Sequence, residues 1–385
     1  MSEGTSQAPP PEARDPRPAG RDGEGRIPFA SQRRLIWWRF RRHRLAVAGG
    51  AVVLLLYLVA LFADFLAYAD PSASDGHRSL IPPQGIDLFD EDGFHPHVHP
   101  LIGTRDLRTF ERVYRRDEGR EIPLCFLCRG YEYTLLGIIR TDIHLIGVER
   151  GRAEASLAIL GTDVQGRDLF SRMVVATRTS LTIGIVGVGI SLVLGVALGG
   201  ISGYHGGVVD LVIQRVIEIL RSIPVIPLWL GLAAALPRSW SVIQVYFAIT
   251  IIISLIGWTE LARVVRGRFL ALRHEDFIVA AELAGCSPRR IIFVHMVPLV
   301  ASHIIAATTL ALPLMIISET ALSFLGLGLR PPAVSWGVLL QQASNIEAIA
   351  LTPWLILPVI PVVTAVLAFN FLGDGLRDAA DPYGI

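Results

Sequence analysis

Five long uncharged stretches interrupt the polar residues of this chain: Leu45–Ala63, Thr179–Tyr204, Ser239–Thr259, Leu299–Ser318 and Ala348–Gly373. A hydrocarbon layer about 30 Å thick is crossed by roughly 20 helical residues, so each stretch predicts a membrane-spanning helix. A sixth apolar stretch, Leu211–Leu236, carries Arg215, Glu218 and Arg221 in its first half. It predicts a helix that leaves the membrane surface before entering the hydrocarbon, with the three charges at i, i+3 spacing pairing along one face. Pro224 and Pro227 predict a kink or broken turn inside it. The pattern as a whole predicts an all-α membrane protein of six spans.

Arginine placement orients the spans. Arg33, Arg34, Arg39, Arg41, Arg42 and Arg44 crowd the approach to the first, and Arg263, Arg266, Arg268, Arg273, Arg289 and Arg290 lie between the fourth and fifth. The opposite short loops hold only Arg238 and Arg330. Both termini are therefore expected in the cytoplasm, with the long Asp64–Arg178 segment outside. The basic run before the first span reads as a topology signal ahead of an anionic-lipid patch. Expected boundaries are a disordered cytoplasmic tail at 1–30, a basic segment and first span at 31–65, a small α+β periplasmic insert at 66–160, and a core at 161–385. That core holds spans two to six and a cytoplasmic loop at 260–298.

Composition sharpens this picture. Of 385 residues, 52% are hydrophobic and 18% charged, with a mean hydropathy of +0.50; soluble chains carry about 25% charged residues. A net charge of +1 gives no electrostatic ground for a nucleic-acid partner. All 35 basic residues are arginine, which excludes a P-loop lysine, a Schiff-base lysine and a Ser-x-x-Lys nucleophile on this chain. The chain is expected to be no enzyme and to hold no cofactor.

Small residues recur every fourth position in the second span, at Gly187, Ser191, Gly195, Gly199 and Gly203. Such a row lets another helix backbone approach closely. Between the fourth and fifth spans, His274-Glu275-Asp276 suits a helix N-terminus and Gly285 a C-terminal stop. Ser287 and Pro288 then supply an N-cap and a first-turn proline for a second helix running to Pro298. A short helix held between two turns, with Ala280, Ala281 and Glu282 on it, makes an exposed knob suited to a groove on another protein.

Ala280-Ala281-x3-Gly285, followed by Val297-Pro298, resembles the coupling motif of binding-protein-dependent ABC importer permeases. Val279 replaces the family's usual Glu, and His295 and Val297 its later Ile and Leu. Three further runs resemble the C-subunit branch of oligopeptide and dipeptide permeases: Leu160-Gly161-Thr162-Asp163-x2-Gly166-Arg167-Asp168-x2-Ser171-Arg172; Ser323-Phe324-Leu325-Gly326-Leu327-Gly328 with Ser335-Trp336-Gly337; and Phe369-Asn370 through Asp378. The resemblance implies the type I importer permease fold in a bacterial inner membrane. It also implies a heterodimer with a paralogous permease subunit, two cytoplasmic ATPase subunits bound at 275–290, and a periplasmic substrate-binding protein. Peptides are the implied cargo, with nickel complexes or glutathione as alternatives within the class. A self-contained secondary transporter or channel is the alternative outside it.

Three smaller features have a plain reading and a sharper one. Cys125 and Cys128 read as buried thiols on opposite faces of a strand, ahead of a disulfide or half of a metal site. His95, His97 and His99 alternate, which would put three imidazoles on one face of a strand as in a metal site. They read first as an exposed loop, because Pro96 and Pro100 interrupt pairing and no acidic or thiol ligand adjoins the row at a diagnostic spacing, so no metal is expected. Glu319, about 20 residues into the fifth span, reads as a hydrated group at the outer boundary, ahead of an outer gate or subunit interface.

Overall fold

The computed structural model describes residues 32–90, 93–105, 112–148, 157–237, 239–344 and 350–380. The tail expected at 1–30 lies outside these. An arginine-rich helix α1 (Gln32–Arg42) leads into α2 (Arg44–Leu61), and His43 caps the latter by accepting from the Ala46 N–H at 3.1 Å. A short α3 (Ala63–Leu66) ends the first crossing.

The insert follows. Its strands are β1 (Ile86–Asp90), β2 (Gly93–Val98), β3 (Leu101–Arg105), β4 (Arg112–Arg116), β5 (Ile122–Leu135) and β6 (Ile139–Val148). They form an antiparallel sheet in the order β1-β2-β5-β6 and a separate β3-β4 hairpin. Among the described residues the insert has no α-helix, only a 3₁₀ turn at Gly76–Arg78, so it is a β unit and not the mixed α+β unit expected. The β5 and β6 sequences explain this: alternating Leu, Phe, Tyr, Thr and Ile favour a pleated surface. Leu136 and Gly137, both at positive φ, turn one strand back on the other.

Within β5 the cysteine expectation fails. Cys125 and Cys128 form a disulfide, with Cα atoms 5.8 Å apart. Strict alternation would separate their side chains, but Leu127 sits at φ +56° and breaks the pleat between them. Alkylation of the denatured protein is accordingly expected to label one thiol, Cys286, without reductant and three after reduction. Three labelled thiols without reductant would refute the pairing.

The core begins at α4 (Leu169–His205). Next come α5 (Gly207–Ser222) and α6 (Val225–Ala234), bent by 84° at Ile223–Pro224. Then follow α7 (Val242–Leu272), α8 (Asp276–Leu283), the turns α9 (Pro288–Arg290) and α10 (Val297–Leu299), and α11 (Ala301–Phe324). The chain closes with α12 (Trp336–Gln341) and α13 (Val359–Ala380). Among the described residues, five helical segments are long and apolar enough to cross a bilayer, six if the bent pair counts as one. Proline explains the bend: Pro224 cannot donate to a preceding carbonyl, so α5 stops before it.

The small-residue row of α4 lies against α7. A Cβ on Gly199 would stand 2.5 Å from the Ala262 carbonyl oxygen, and one on Gly203 2.6 Å from Phe269 Cβ. At Gly195 the neighbour would be Leu261 Cβ at 2.8 Å. Nearer the insert, Ser254 donates to the Gly187 carbonyl at 3.0 Å, and Ser191 to the Ser254 carbonyl at 3.4 Å. Backbone contact this close lets two long helices gain dispersion along their length in a solvent that offers no hydrophobic drive. The same device joins the ends of the chain: a Cβ on Gly49 of α2 would meet the Ala368 carbonyl of α13 at 2.7 Å.

Charges on the bent pair are fastened to neighbours. Arg215 pairs with Glu218 at 2.7 Å as its spacing predicts, but Arg221 pairs with Glu260 of α7 and not along its own helix. Asp210 holds Arg266 of α7 through two bonds, at 2.5 and 2.6 Å.

Candidate functional site

At the end of the bundle away from the insert, α8 projects from the loop joining α7 to α11. One residue anchors it: Ile278 is fully buried among Val265, Phe269, Ile291, Ile292 and Met296. A second tie comes from the end of α4, where the Tyr204 hydroxyl donates to Glu282 at 2.8 Å. The rest of the helix faces outward. Ala280, Glu282, Gly285, Ser287, Pro288 and Pro298 are exposed and Ala281 is half-buried. Phe277 and Val279 are exposed too, and Leu283 is 85% exposed, an apolar edge that no described residue covers.

The turn after α8 is built on Gly285. Its N–H donates to the Glu282 carbonyl at 2.9 Å, and the Cys286 N–H to the Ala281 carbonyl at 3.1 Å. This is a Schellman stop, whose residue past the cap must be left-handed; Gly285 has φ +75°. Ser287 occupies the next N-cap with extended backbone, but its side chain makes no capping bond. The helix then widens into a π-turn at Ile291–Met296 instead of continuing as α to Pro298. Pro298 is the reason: it has no N–H for the Val294 carbonyl and its ring would strike it, and a π-turn relieves both.

The Leu160–Arg172 run does a different job at the insert end. Asp163, fully buried, accepts from Arg167 Nε at 2.7 Å, from the Gln165 and Arg167 N–H groups at 2.8 and 3.0 Å, and from Arg172. Gln342, just past α12, adds a bond of 3.3 Å. Asp168 caps α4 through the Ser171 N–H at 2.7 Å and accepts from the Tyr68 hydroxyl at 2.5 Å. Burial pushes the Asp168 carboxyl up to about 6, against those two donors; burial and the facing carboxylate hold the Tyr68 hydroxyl well above its usual range. The glycines of the run let segments touch: at Gly166, φ +74°, a Cβ would overlap the Asp75 carbonyl. This work is not legible along the chain, because Tyr68, Asp75 and Gln342 lie far from the run in sequence.

Glu319 stands deeper, and its expected hydration is overturned. Its side chain is fully buried and accepts from Ser335 at 2.7 Å, Ser323 at 2.8 Å and Ser180 at 3.2 Å. Its three hydroxyl donors all come from this chain, two of them from outside α11. Counting residues into the span gave the depth of Glu319, but not the α12 segment that folds over it. The Ser323–Gly328 run closes α11 with a second Schellman stop at Gly326, φ +75°, and Gly337 lets α12 approach: a Cβ there would be 2.7 Å from the Thr320 carbonyl.

Several bilayer-length helices, closely packed about α4 and α7, with an anchored apolar knob at one end, define an integral membrane subunit that works with other proteins. Residues 195–383 match the family model described as binding-protein-dependent transport system inner membrane component, and residues 31–83 match the N-terminal transmembrane domain of oligopeptide transport permease C. The chain is 41% identical over 224 residues to an oligopeptide transport system permease protein of Haemophilus influenzae, covering 58% of this chain and 69% of that one. It is 38% identical to a dipeptide transport system permease protein of Lactococcus lactis, covering 63% and 68%. Over 366 residues it is 31% identical to a glutathione transport system permease protein of Pectobacterium atrosepticum, covering 95% and 94%. The chain belongs to the binding-protein-dependent transport system inner membrane components, as a permease subunit of an ABC importer. Such a subunit works with ATPase and binding-protein partners, and hydrolysis resides on the ATPase chains.

Proposed function

We propose that this chain is the C-type half of a peptide importer, that it pairs with a paralogous permease subunit, and that α8 receives the motion of a cytoplasmic ATPase. The observation that carries this is the knob itself: Ile278 is locked into the core while Phe277, Val279 and Leu283 are left bare. Force applied to such a helix passes through Ile278 to α7 and α11, and through Tyr204 to α4. The exposed apolar faces of α5 (Val208, Leu211, Val212) and α7 (Ile243, Phe247, Ile251) are available to the second permease subunit and to lipid. With α8 in the cytoplasm, the termini are cytoplasmic, the insert is periplasmic, and α5 and α6 make the third crossing together.

Co-purification tests the reading. Expressed with ATPase and permease subunits of a peptide importer of its own organism, the tagged chain is expected to retain two ATPase subunits, and Leu283→Glu to lose them while the permease stays folded. Reconstituted alone in vesicles, the chain is expected to move no peptide down an ion gradient. Such movement would instead establish a secondary transporter. The near full-length likeness to a glutathione permease supports a narrower cargo, a short thiol peptide, and binding assays on the partner binding protein decide between the two.

A further inference from the structure

The histidine row of the insert is not an exposed loop. His95 and His97 lie in β2 with His99 just beyond it, and His97 and His99 are 4% and 9% exposed. The β1–β2 register does break at Pro96, but pairing resumes at His97, which faces Asp87 of β1 on one side and Pro123 of β5 on the other. Register then supplies what the row lacks in sequence. Asp87 of β1 is the direct partner of His97, so its carboxylate shares the face on which His97 and His99, two apart, both stand.

We propose that Asp87, His97 and His99 form a binding site for one divalent transition-metal ion of the zinc type. Both rings are set for it. His97 Nδ1 lies 2.8 Å from the His95 carbonyl oxygen and His99 Nδ1 3.2 Å from the Asp117 carbonyl oxygen. A carbonyl only accepts, so in the neutral ring the proton sits on Nδ1 and leaves Nε2 its lone pair for a metal. This is the outer-shell arrangement that fixes ligating imidazoles in metal proteins.

The free ends converge: the ligand atoms of Asp87, His97 and His99 all lie within 4.8 Å of one another, with His99 Nε2 3.6 Å from Asp87 Oδ2. Two ligands about 2.1 Å from one tetrahedral ion are themselves about 3.4 Å apart. Glu121 Oε1, 4.0 Å from His97 Nε2, groups with His95 and His97 and not with Asp87 and His99, so water is the candidate for the fourth position. Two imidazoles and a carboxylate suit zinc, nickel or copper over the hard ions magnesium and calcium. Arg116 pairs with Asp87 in the absence of metal and must release that oxygen on loading. A bound ion would tie β1 to β2 on the face of the insert.

The test is metal titration of the full-length chain in detergent, carrying a non-histidine affinity tag and stripped with chelator. Zinc is expected to bind at one equivalent per chain and to raise the melting midpoint, and magnesium to do neither. Replacing His97 and His99 together with alanine is expected to weaken zinc binding by at least about tenfold. Asp87→Asn, which keeps the side-chain shape, is expected to weaken it in the same direction, and exposed His77→Ala to leave it unchanged. Arg116→Gln, which frees the carboxylate, is expected to tighten it. Absence of saturable zinc binding, or binding untouched by both the histidine pair and Asp87→Asn, overturns the site.

Discussion

Gly285→Pro in the assembled importer is expected to leave the complex in the membrane, yet cut ATP-driven uptake by at least about tenfold, the equivalent of about 1.4 kcal/mol of lost coupling. Two physical effects act at the same atom. Proline holds φ near −65°, whereas the stop after α8 needs φ +75°, so the chain cannot turn there. Proline also lacks the N–H that donates to the Glu282 carbonyl. Crowding plays no part, because no atom lies within 4 Å of a Cβ built on Gly285. That separates two variants: Gly285→Ala pays only the left-handed strain, about 1–2 kcal/mol, and is expected to keep most transport. Ile278 and the α7–α11 core remain in place in both, so folding survives. The readouts are uptake driven by ATP and the stimulation of ATPase activity by loaded binding protein, which Gly285→Pro is expected to abolish while basal hydrolysis persists. Unchanged uptake in the proline variant would sink the coupling role of α8.

How far such sites are legible from sequence depends on what determines them. Local chemistry reads well: the bilayer-length apolar runs, the stop at Gly285 and the break at Pro224 are each set by residues within one or two turns. Features made by distant segments read badly. His97 looks like loop until β1 and β5 flank it, and Asp87 becomes its neighbour only through strand register. Cys125 and Cys128 look opposed until Leu127 leaves the pleat. Glu319 looks hydrated by depth alone, since Ser180 and Ser335 come from elements 139 and 16 residues away in sequence. The Asp163 network belongs to this second group, and it carries the largest stability effect expected in the chain.

Asp163→Asn is expected to be the most destabilising of the conservative changes. Asp163 and Arg172 are both fully buried, and the Arg167 side chain is 7% exposed. One carboxylate thus compensates two guanidinium groups in a place with little water to screen them. Removing one partner of a buried pair costs about 3–5 kcal/mol, because the remaining charge keeps its desolvation penalty and loses its counter-ion. Asparagine retains the shape and one carbonyl oxygen for the Gln165 and Arg167 N–H groups, but its amide nitrogen then faces the donors of Arg167, Arg172 and Gln342, so the charge and those bonds are lost together. The melting midpoint of the purified permease is expected to fall by roughly 10 °C, at about 2–4 °C per kcal/mol. A double-mutant cycle separates this from a general weakening of the insert end. Arg172→Gln alone should also destabilise, by stranding Asp163 with Arg167 only. Asp163→Asn with Arg172→Gln leaves a single buried arginine where the first variant leaves two, so its loss should be smaller than the sum of the singles by at least about 1 kcal/mol. Strict additivity would mean that Asp163 and Arg172 do not act on each other as a buried pair.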